Sequence, residues 1–346
     1  MKSNYSFRRI NSPFDDSGIF LRNVYMKKAK MFDCGRLGNI DNSELNDVSD
    51  VFITHTHLDH FIGFDRFLRG TIALGNSFNF YGPAGFIKNV RGKLDGYTWN
   101  LIKDYTISFH VYEITEEGIN SSIFSAKNEF AEVKVHEKID SIEIENGFKL
   151  KYEFFDHGIT TLGYRLCEPE RISINKDKMK SLGIKNGVWV GNFLKELELK
   201  SNDNISFEIE SENGKKSYYT NELKYLLVEY PETQDITYIT DIAPIDKNIE
   251  KAIEFAKNSF ILIVESVFMD RDFEHAKLKN HLTLSYSKKI YTESNSEFVS
   301  FGHFAPKYDR CKDELFSELY DGLNKEKVIK FELDRNKLNS NEYLNK

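Results

Sequence analysis

Three histidines and an aspartate fall within six positions in Thr54-His55-Thr56-His57-Leu58-Asp59-His60, directly after the apolar run Val51-Phe52-Ile53. Imidazole nitrogen and carboxylate oxygen are the donors that zinc and related divalent metals select. If Val51–Thr54 is a strand, His55 and His57 leave its end on the same side, and Asp59 and His60 follow in the turn. One short loop then serves two metals, with His55 and His57 on one and Asp59 and His60 on the other. A polar loop rich in histidine by coincidence is the plain alternative. With 9 His among 346 residues, this grouping favours metal.

Further ligands must come from elsewhere. His157, Asp241 and His303 share a feature with His55. Each follows an apolar, β-prone run: Tyr152–Phe155, Tyr238–Ile239 and Phe298–Phe301. Strand ends gathered on one sheet edge are how a rigid scaffold presents a site. Ligand count then gives His55, His57 and His157 to one metal and Asp59, His60 and His303 to the other, with Asp241 bridging. In such two-metal sites the ions sit ~3.5–4 Å apart and bring bound water towards a pKa of about 7. The ligand types fit zinc, and manganese or iron can occupy a His/Asp site. His110 and His136 lie among polar residues and read as surface positions, while His275 reads as a helix-face residue. His281 opens a helix before the His303 strand, which could bring it to the site.

The elements that must carry these residues follow from periodicity. Strands are expected at Gly18–Val24, Lys30–Phe32, Val51–Thr54, Phe78–Tyr81, Val111–Ile114, Val133–Val135, Phe148–Phe155, Thr237–Thr240, Phe260–Glu265 and Phe298–Phe301. Helical spacing marks Ile62–Leu68, Ala84–Lys93, Asn175–Leu182, Asn248–Ala256 and Leu284–Ser294. Gly183–Gly191 reads as a loop with an unusual Trp189. Glu208–Lys216 reads as an exposed hairpin turning at Asn213-Gly214. Strands alternate with helices, yet many strands follow one another directly. That mixture fits two packed sheets flanked by helices.

Composition agrees with a folded chain: 40% hydrophobic and 14% aromatic, which argues against disorder. The formal net charge of −7 does not advertise a non-specific nucleic-acid binder. Cys34, Cys167 and Cys311 are odd in number and widely spaced, with no disulfide framework and no CxxC pattern. A reduced, cytoplasmic setting is expected. The N-terminus lacks an apolar signal core, and no run of 18 apolar residues predicts a membrane span.

In order and spacing these blocks resemble the metallo-β-lactamase superfamily, and within it the ribonuclease Z family, over most of the chain. His55-Thr56-His57-Leu58-Asp59-His60 resembles the HxHxDH signature and Phe32-Asp33-Cys34-Gly35 the first motif. Tyr81-Gly82-Pro83-Ala84-Gly85 is similar to the strand-turn after the metal loop. Asp156-His157-Gly158 through Gly163-Tyr164-Arg165 resembles the block carrying a further histidine, and Thr240-Asp241 the segment with a bridging aspartate. Glu265-Ser266-Val267-Phe268, His281-Leu282-Thr283 and Gly302-His303-Phe304-Ala305-Pro306-Lys307-Tyr308 are similar to the last three blocks.

The resemblance implies an α+β fold, an αββα four-layer sandwich spanning residues 1–346 as one domain, with a candidate arm or hairpin insert at 173–220. It implies that His55, His57, Asp59, His60, His157, Asp241 and His303 hold two divalent ions. Asp59 would also orient or deprotonate the attacking water. His281, oriented by Glu265, would stabilise the transition state or protonate the leaving oxygen. The chemistry implied is phosphodiester hydrolysis by a metal-bound hydroxide, with precursor tRNA 3′-trailer removal as the family activity and a homodimer as the family assembly. Leu58 stands where the family usually has Gly, and Leu282 where it has Ser. The arm, at Leu182–Leu197, has Asn186-Gly187 where Gly-Pro is expected, with Lys185 and Lys195 as its candidate substrate-binding residues. These departures admit an alternative: a hydrolase of the same superfamily acting on a small substrate such as a cyclic nucleotide or another phospho- or sulfo-ester. The insert Gly92–Asn120, with Tyr97, Trp99 and Tyr105, could shape such a pocket or pack as a surface helix or hairpin. A non-catalytic metal-binding protein would require a lost ligand, and none is lost.

Overall fold

The computed structural model describes residues 3–139, 141–199, 204–211 and 214–330. The chain divides into two compact units, one from Met1–Glu168 with Gln234–Lys346 and the other Pro169–Thr233.

The larger unit is built on two sheets. The first has eight strands in chain order, from Tyr5–Arg9 to Glu132–Ile139. Its centre is parallel: Ala29–Phe32, Val48–Phe52, Ser77–Pro83 and Ser108–Thr115 run the same way. The second has six strands in the order Phe298–Gly302, Ile261–Glu265, Ile236–Ile239, Thr160–Cys167, Lys149–Asp156 and Ile142–Glu143. Its first three strands are parallel, and the rest are antiparallel.

Side-chain alternation explains the layering. Successive strand residues point to opposite faces, and here both faces are apolar. Val51, Ile53, Phe78 and Phe80 face one core with the helices Phe64–Thr71 and Phe86–Asp95. Phe52 and Tyr81 face the other way and join Phe32, Tyr164, Tyr238, Ile261 and Ile263 between the sheets. Leu262 and Val264 turn outward to a third core under the helices Asp246–Phe255, Leu284–Ser294 and Lys312–Tyr320. Three apolar layers separate helix, sheet, sheet and helix, an αββα sandwich.

The smaller unit has its own core of Met179, Ile184, Trp189, Phe193, Ile209, Tyr218, Leu223 and Leu227. It begins and ends wider than the 173–220 insert expected from sequence. The strands Ser206–Ser211 and Gly214–Tyr219 pair as the expected hairpin; its turn residue Asn213 lies outside the described residues. The loop expected at Gly183–Gly191 needs correction, because a helix covers Val188–Glu198. Trp189, Phe193 and Leu197 recur at every fourth residue and pack on one side, which outweighs the roughly 1 kcal/mol cost of the helical Gly191.

In the Gly92–Asn120 region Tyr97 is exposed. Trp99 and Tyr105 pack against the outer core of the first sheet, and Trp99 Nε1 donates to Leu94 O at 2.8 Å. No helix among the described residues is long and apolar enough to cross a membrane.

Candidate metal centre

The histidine loop leaves the strand Val48–Phe52 and enters the short helix Leu58–Phe61. Two neighbouring segments fix its path. Cys34 N donates to His60 O at 2.8 Å, Gly63 N to Cys34 O at 2.8 Å, Ser17 N to Asp59 O at 3.1 Å and Gly35 N to Ser17 O at 2.8 Å. The approach is too close for side chains: a Cβ on Gly63 would stand 2.0 Å from Gly35 O, and one on Gly35 2.4 Å from Asp59 O. Glycine serves here because backbone must touch backbone.

The second sheet supplies the facing groups from its strand ends. His157 follows Lys149–Asp156, Asp241 follows Ile236–Ile239 and His303 follows Phe298–Gly302. Asp241 is the hub. Its Oδ2 lies 3.6 Å from His55 Nε2, 3.3 Å from His60 Nε2 and 3.6 Å from His157 Nε2. Its Oδ1 lies 3.1 Å from His303 Nε2. Asp59 Oδ2 is 3.4 Å from His60 Nε2 and 3.7 Å from His303 Nε2. Donor atoms of His55, His57, His157 and Asp241 all fall within 4.8 Å of one another, as do those of Asp59, His60 and His303. Asp241 therefore stands next to both groups. His55 and His60 form a buried floor, while His57 is exposed and Asp59, His281 and His303 are half-buried.

Each buried imidazole is held from behind. His60 Nδ1 is 2.8 Å from Asp33 Oδ2, His55 Nδ1 is 3.1 Å from Thr54 Oγ1, and His157 Nδ1 is 2.8 Å from Asn280 O. Asp33 is fully buried and also accepts from Thr54 N at 2.8 Å and from the Tyr238 hydroxyl at 2.8 Å. Glu265, 1% exposed, accepts from Ile242 N at 2.8 Å and holds His281 Nδ1 at 2.8 Å. A ligand atom of His281 also comes within 4.8 Å of those of Asp241 and His303.

The electrostatics suit a cation. Burial, and then the neighbouring His60, push His55 down to about 2. Burial opposes charge on His60, but Asp241 and Asp33 outweigh it and raise its pKa. Burial is likewise outweighed at Asp59 by His60 and at Asp241 by His303 and His60, so both carboxyls are held below their usual range. At His281, burial is overcome by Glu265, which lifts it to about 9.

His55 Nε2 and His60 Nε2 are buried without a hydrogen-bond partner. An unpaired buried nitrogen costs about 1–3 kcal/mol. Two of them aimed at one carboxylate, with further His and Asp donors around, fit divalent metal bound through nitrogen and oxygen.

Lys185 and Lys195 lie in the smaller unit, both exposed. Lys185 N donates to Glu210 O, and its carbonyl accepts from Trp189 Nε1. Sequence reasoning gave no role to Ser17, Thr54, Tyr238 or Asn280, although all touch the imidazoles or Asp33. Asp33 did carry a signal, since like His157 and His303 it directly follows a strand.

The fold is the metallo-β-lactamase fold. A metallo-β-lactamase fold protein, YhfI from Bacillus subtilis, superposes with a TM-score of 0.51 at 12% identity, covering 93% of this chain and 94% of that one. A long form ribonuclease Z from yeast does so with a TM-score of 0.51 at 13% identity, covering 88% of this chain and 38% of that one. In sequence, the chain is a distant homologue of ribonuclease Z. It is 26% identical over 320 residues to ribonuclease Z of Nanoarchaeum equitans, covering 90% of this chain and 84% of the relative. Ribonuclease Z of Enterococcus faecalis is 25% identical over 300 residues, covering 84% and 82%, and that of Pyrococcus furiosus 25% over 293 residues, covering 80% and 77%. No family model matches the chain.

Proposed function

We propose that this protein is a dinuclear metal-dependent phosphodiesterase of the ribonuclease Z type, an endoribonuclease acting on the 3′ trailer of precursor tRNA. The observation that carries the reading is the ring of imidazole nitrogens around Asp241, two of them buried and unpartnered. His55, His57 and His157 would hold one ion and Asp59, His60 and His303 the other, with Asp241 shared. Zinc fits this donor set, as do manganese and iron. When bound, such a pair supplies Lewis acidity to the phosphate and brings water towards ionisation at neutral pH.

The chain's own residues do the rest. Asp59, at the half-buried rim, accepts the proton of the attacking water. Glu265 ties down His281 Nδ1 and leaves Nε2 available to protonate the departing oxygen. The insert at 173–220 is the substrate arm, with Lys185 and Lys195 meeting RNA phosphates. A cytoplasmic homodimer accompanies this reading, one subunit's arm reaching RNA bound to the other.

The test is cleavage of a precursor tRNA carrying a 3′ trailer by zinc- or manganese-loaded protein, beside His281→Ala. Cutting at the trailer junction, lost in the variant, supports the reading. Hydrolysis of bis(p-nitrophenyl) phosphate without tRNA cleavage would replace it with a small phosphodiester substrate. Inactivity on both substrates would overturn it.

A further inference from the structure

Behind the group of Asp59, His60 and His303 runs a line of polar contacts. His303 Nδ1 lies 3.2 Å from Ser17 Oγ. Tyr238 Oη donates to Asp33 Oδ2 at 2.8 Å, and the same oxygen is 2.8 Å from His60 Nδ1. Ser17 is 4% exposed, Tyr238 2% and Asp33 0%. The line crosses from the loop before Ile19–Asn23, through the second sheet, to the end of a first-sheet strand.

A carboxylate only accepts, so the Tyr238 hydroxyl and His60 Nδ1–H both donate to Asp33. His60 is thereby held in the tautomer whose Nε2 lone pair faces Asp241 and Asp59. With His303 Nε2 turned to Asp241 Oδ1, its Nδ1 meets Ser17 Oγ. Hydrogen bonds of this kind fix the ring orientation and basicity of a metal-ligating histidine.

We propose that Ser17 and Tyr238 are positioning residues for one of the two metal ions, Ser17 orienting His303 directly and Tyr238 orienting His60 through Asp33. The other group is further from them: His157 leans on Asn280 O, and His55 on Thr54, whose hydroxyl in turn donates to Asp33 Oδ1 at 2.9 Å. The inference rests on His60 and His303 being metal ligands.

The experiment measures metal equivalents, chelator-competition affinities and the visible spectrum of cobalt-loaded protein for wild type, Ser17→Ala and Tyr238→Phe. Tyr164→Phe is the control: its hydroxyl sits in the same buried layer but donates to Ile53 O at 2.8 Å. The expected result is about 10–100-fold weaker binding of one equivalent in both variants, with an altered cobalt spectrum. The other equivalent loses less affinity, and the Tyr164→Phe protein keeps wild-type affinity for both. Unchanged affinities and spectra in Ser17→Ala and Tyr238→Phe would overturn the inference, as would the same loss in the control. Wild-type protein that binds fewer than two equivalents would overturn the dinuclear reading beneath it.

Discussion

Asp241 and His303 both occupy left-handed backbone positions, with φ of 54° and 57°, and Asp241 Oδ1 lies 3.1 Å from His303 Nε2. Non-glycine residues there cost of order 1–3 kcal/mol each and persist where the surroundings over-determine them. The left-handed turn lets each strand end abruptly and aim its side chain back at the shared centre. Asp241→Asn keeps a residue type that tolerates this backbone while removing the charge. It should stay folded by circular dichroism and lose at least one metal equivalent by elemental analysis. Full metal content in this variant would remove Asp241 from its bridging role.

His281 is assigned to proton transfer, with no metal of its own. His281→Ala should lower turnover by about 10²–10⁴-fold, the usual range for a general acid, and retain both metal equivalents. Metal lost together with activity would make His281 a ligand. Unimpaired turnover would remove it from the chemistry.

Gly63→Ala tests the backbone contact that shapes the histidine loop. Its Cβ would stand 2.0 Å from Gly35 O, and overpacking of this kind costs about 1–3 kcal/mol. Weakened metal binding should accompany the loss, since Gly63 N and His60 O both bond Cys34. Gly38→Ala, where a Cβ meets nothing within 4 Å, should be neutral within about 0.5 kcal/mol. Equal denaturation midpoints for the two variants would contradict the steric account.

The helix Asn42–Asp47 opens on a capping box: Asp41 accepts from Glu44 N at 2.9 Å, and Glu44 Oε2 accepts from Asp41 N at 3.2 Å. Asp41→Ala should cost about 1 kcal/mol at pH 7. The Glu44 N–H bond, and then Ser43, hold the Asp41 carboxyl below its ordinary value. A carboxyl depressed in the folded state contributes stability above its unfolded pKa of about 3.9, and that stability is lost as pH falls through the folded value. Urea unfolding at pH 7 and below pH 3 should therefore show the gap between wild type and variant closing in acid. A gap that stays constant would rule out the carboxylate as its source.

The groups around Asp241 were legible in the sequence because ligand chemistry uses few residue types, and the runs that carry them, at His55, His157 and His303, each came shortly after an apolar strand. The layering was legible for a related reason: runs such as Ile261–Glu265, apolar on both faces, belong to sheets covered on both sides. What stands behind the imidazoles was not legible. Tyr238 reads as one more strand aromatic and Ser17 as a turn residue; only packing reveals their hydroxyls. Gly118–Ser125 pairs along its length with Ser108–Thr115, yet its serines and asparagine hide a strand. Val188–Glu198 was obscured by Gly191 and its β-branched valines, which local propensity disfavours in a helix and tertiary packing overrides.

The centre draws His55, His57, Asp59 and His60 from the end of one first-sheet strand, and His157, Asp241 and His303 from three ends of the second. Neither sheet alone holds a complete set of donors. On the proposed reading, ion capture would come late in folding, gated by the docking of the two sheets across Phe32, Phe52, Tyr164 and Tyr238. A captured ion would then act as a rivet through that seam, resisting the opening that would unfold the sandwich. An intermediate with one sheet formed would have little affinity for metal, so metal uptake during refolding would report the moment the two halves close.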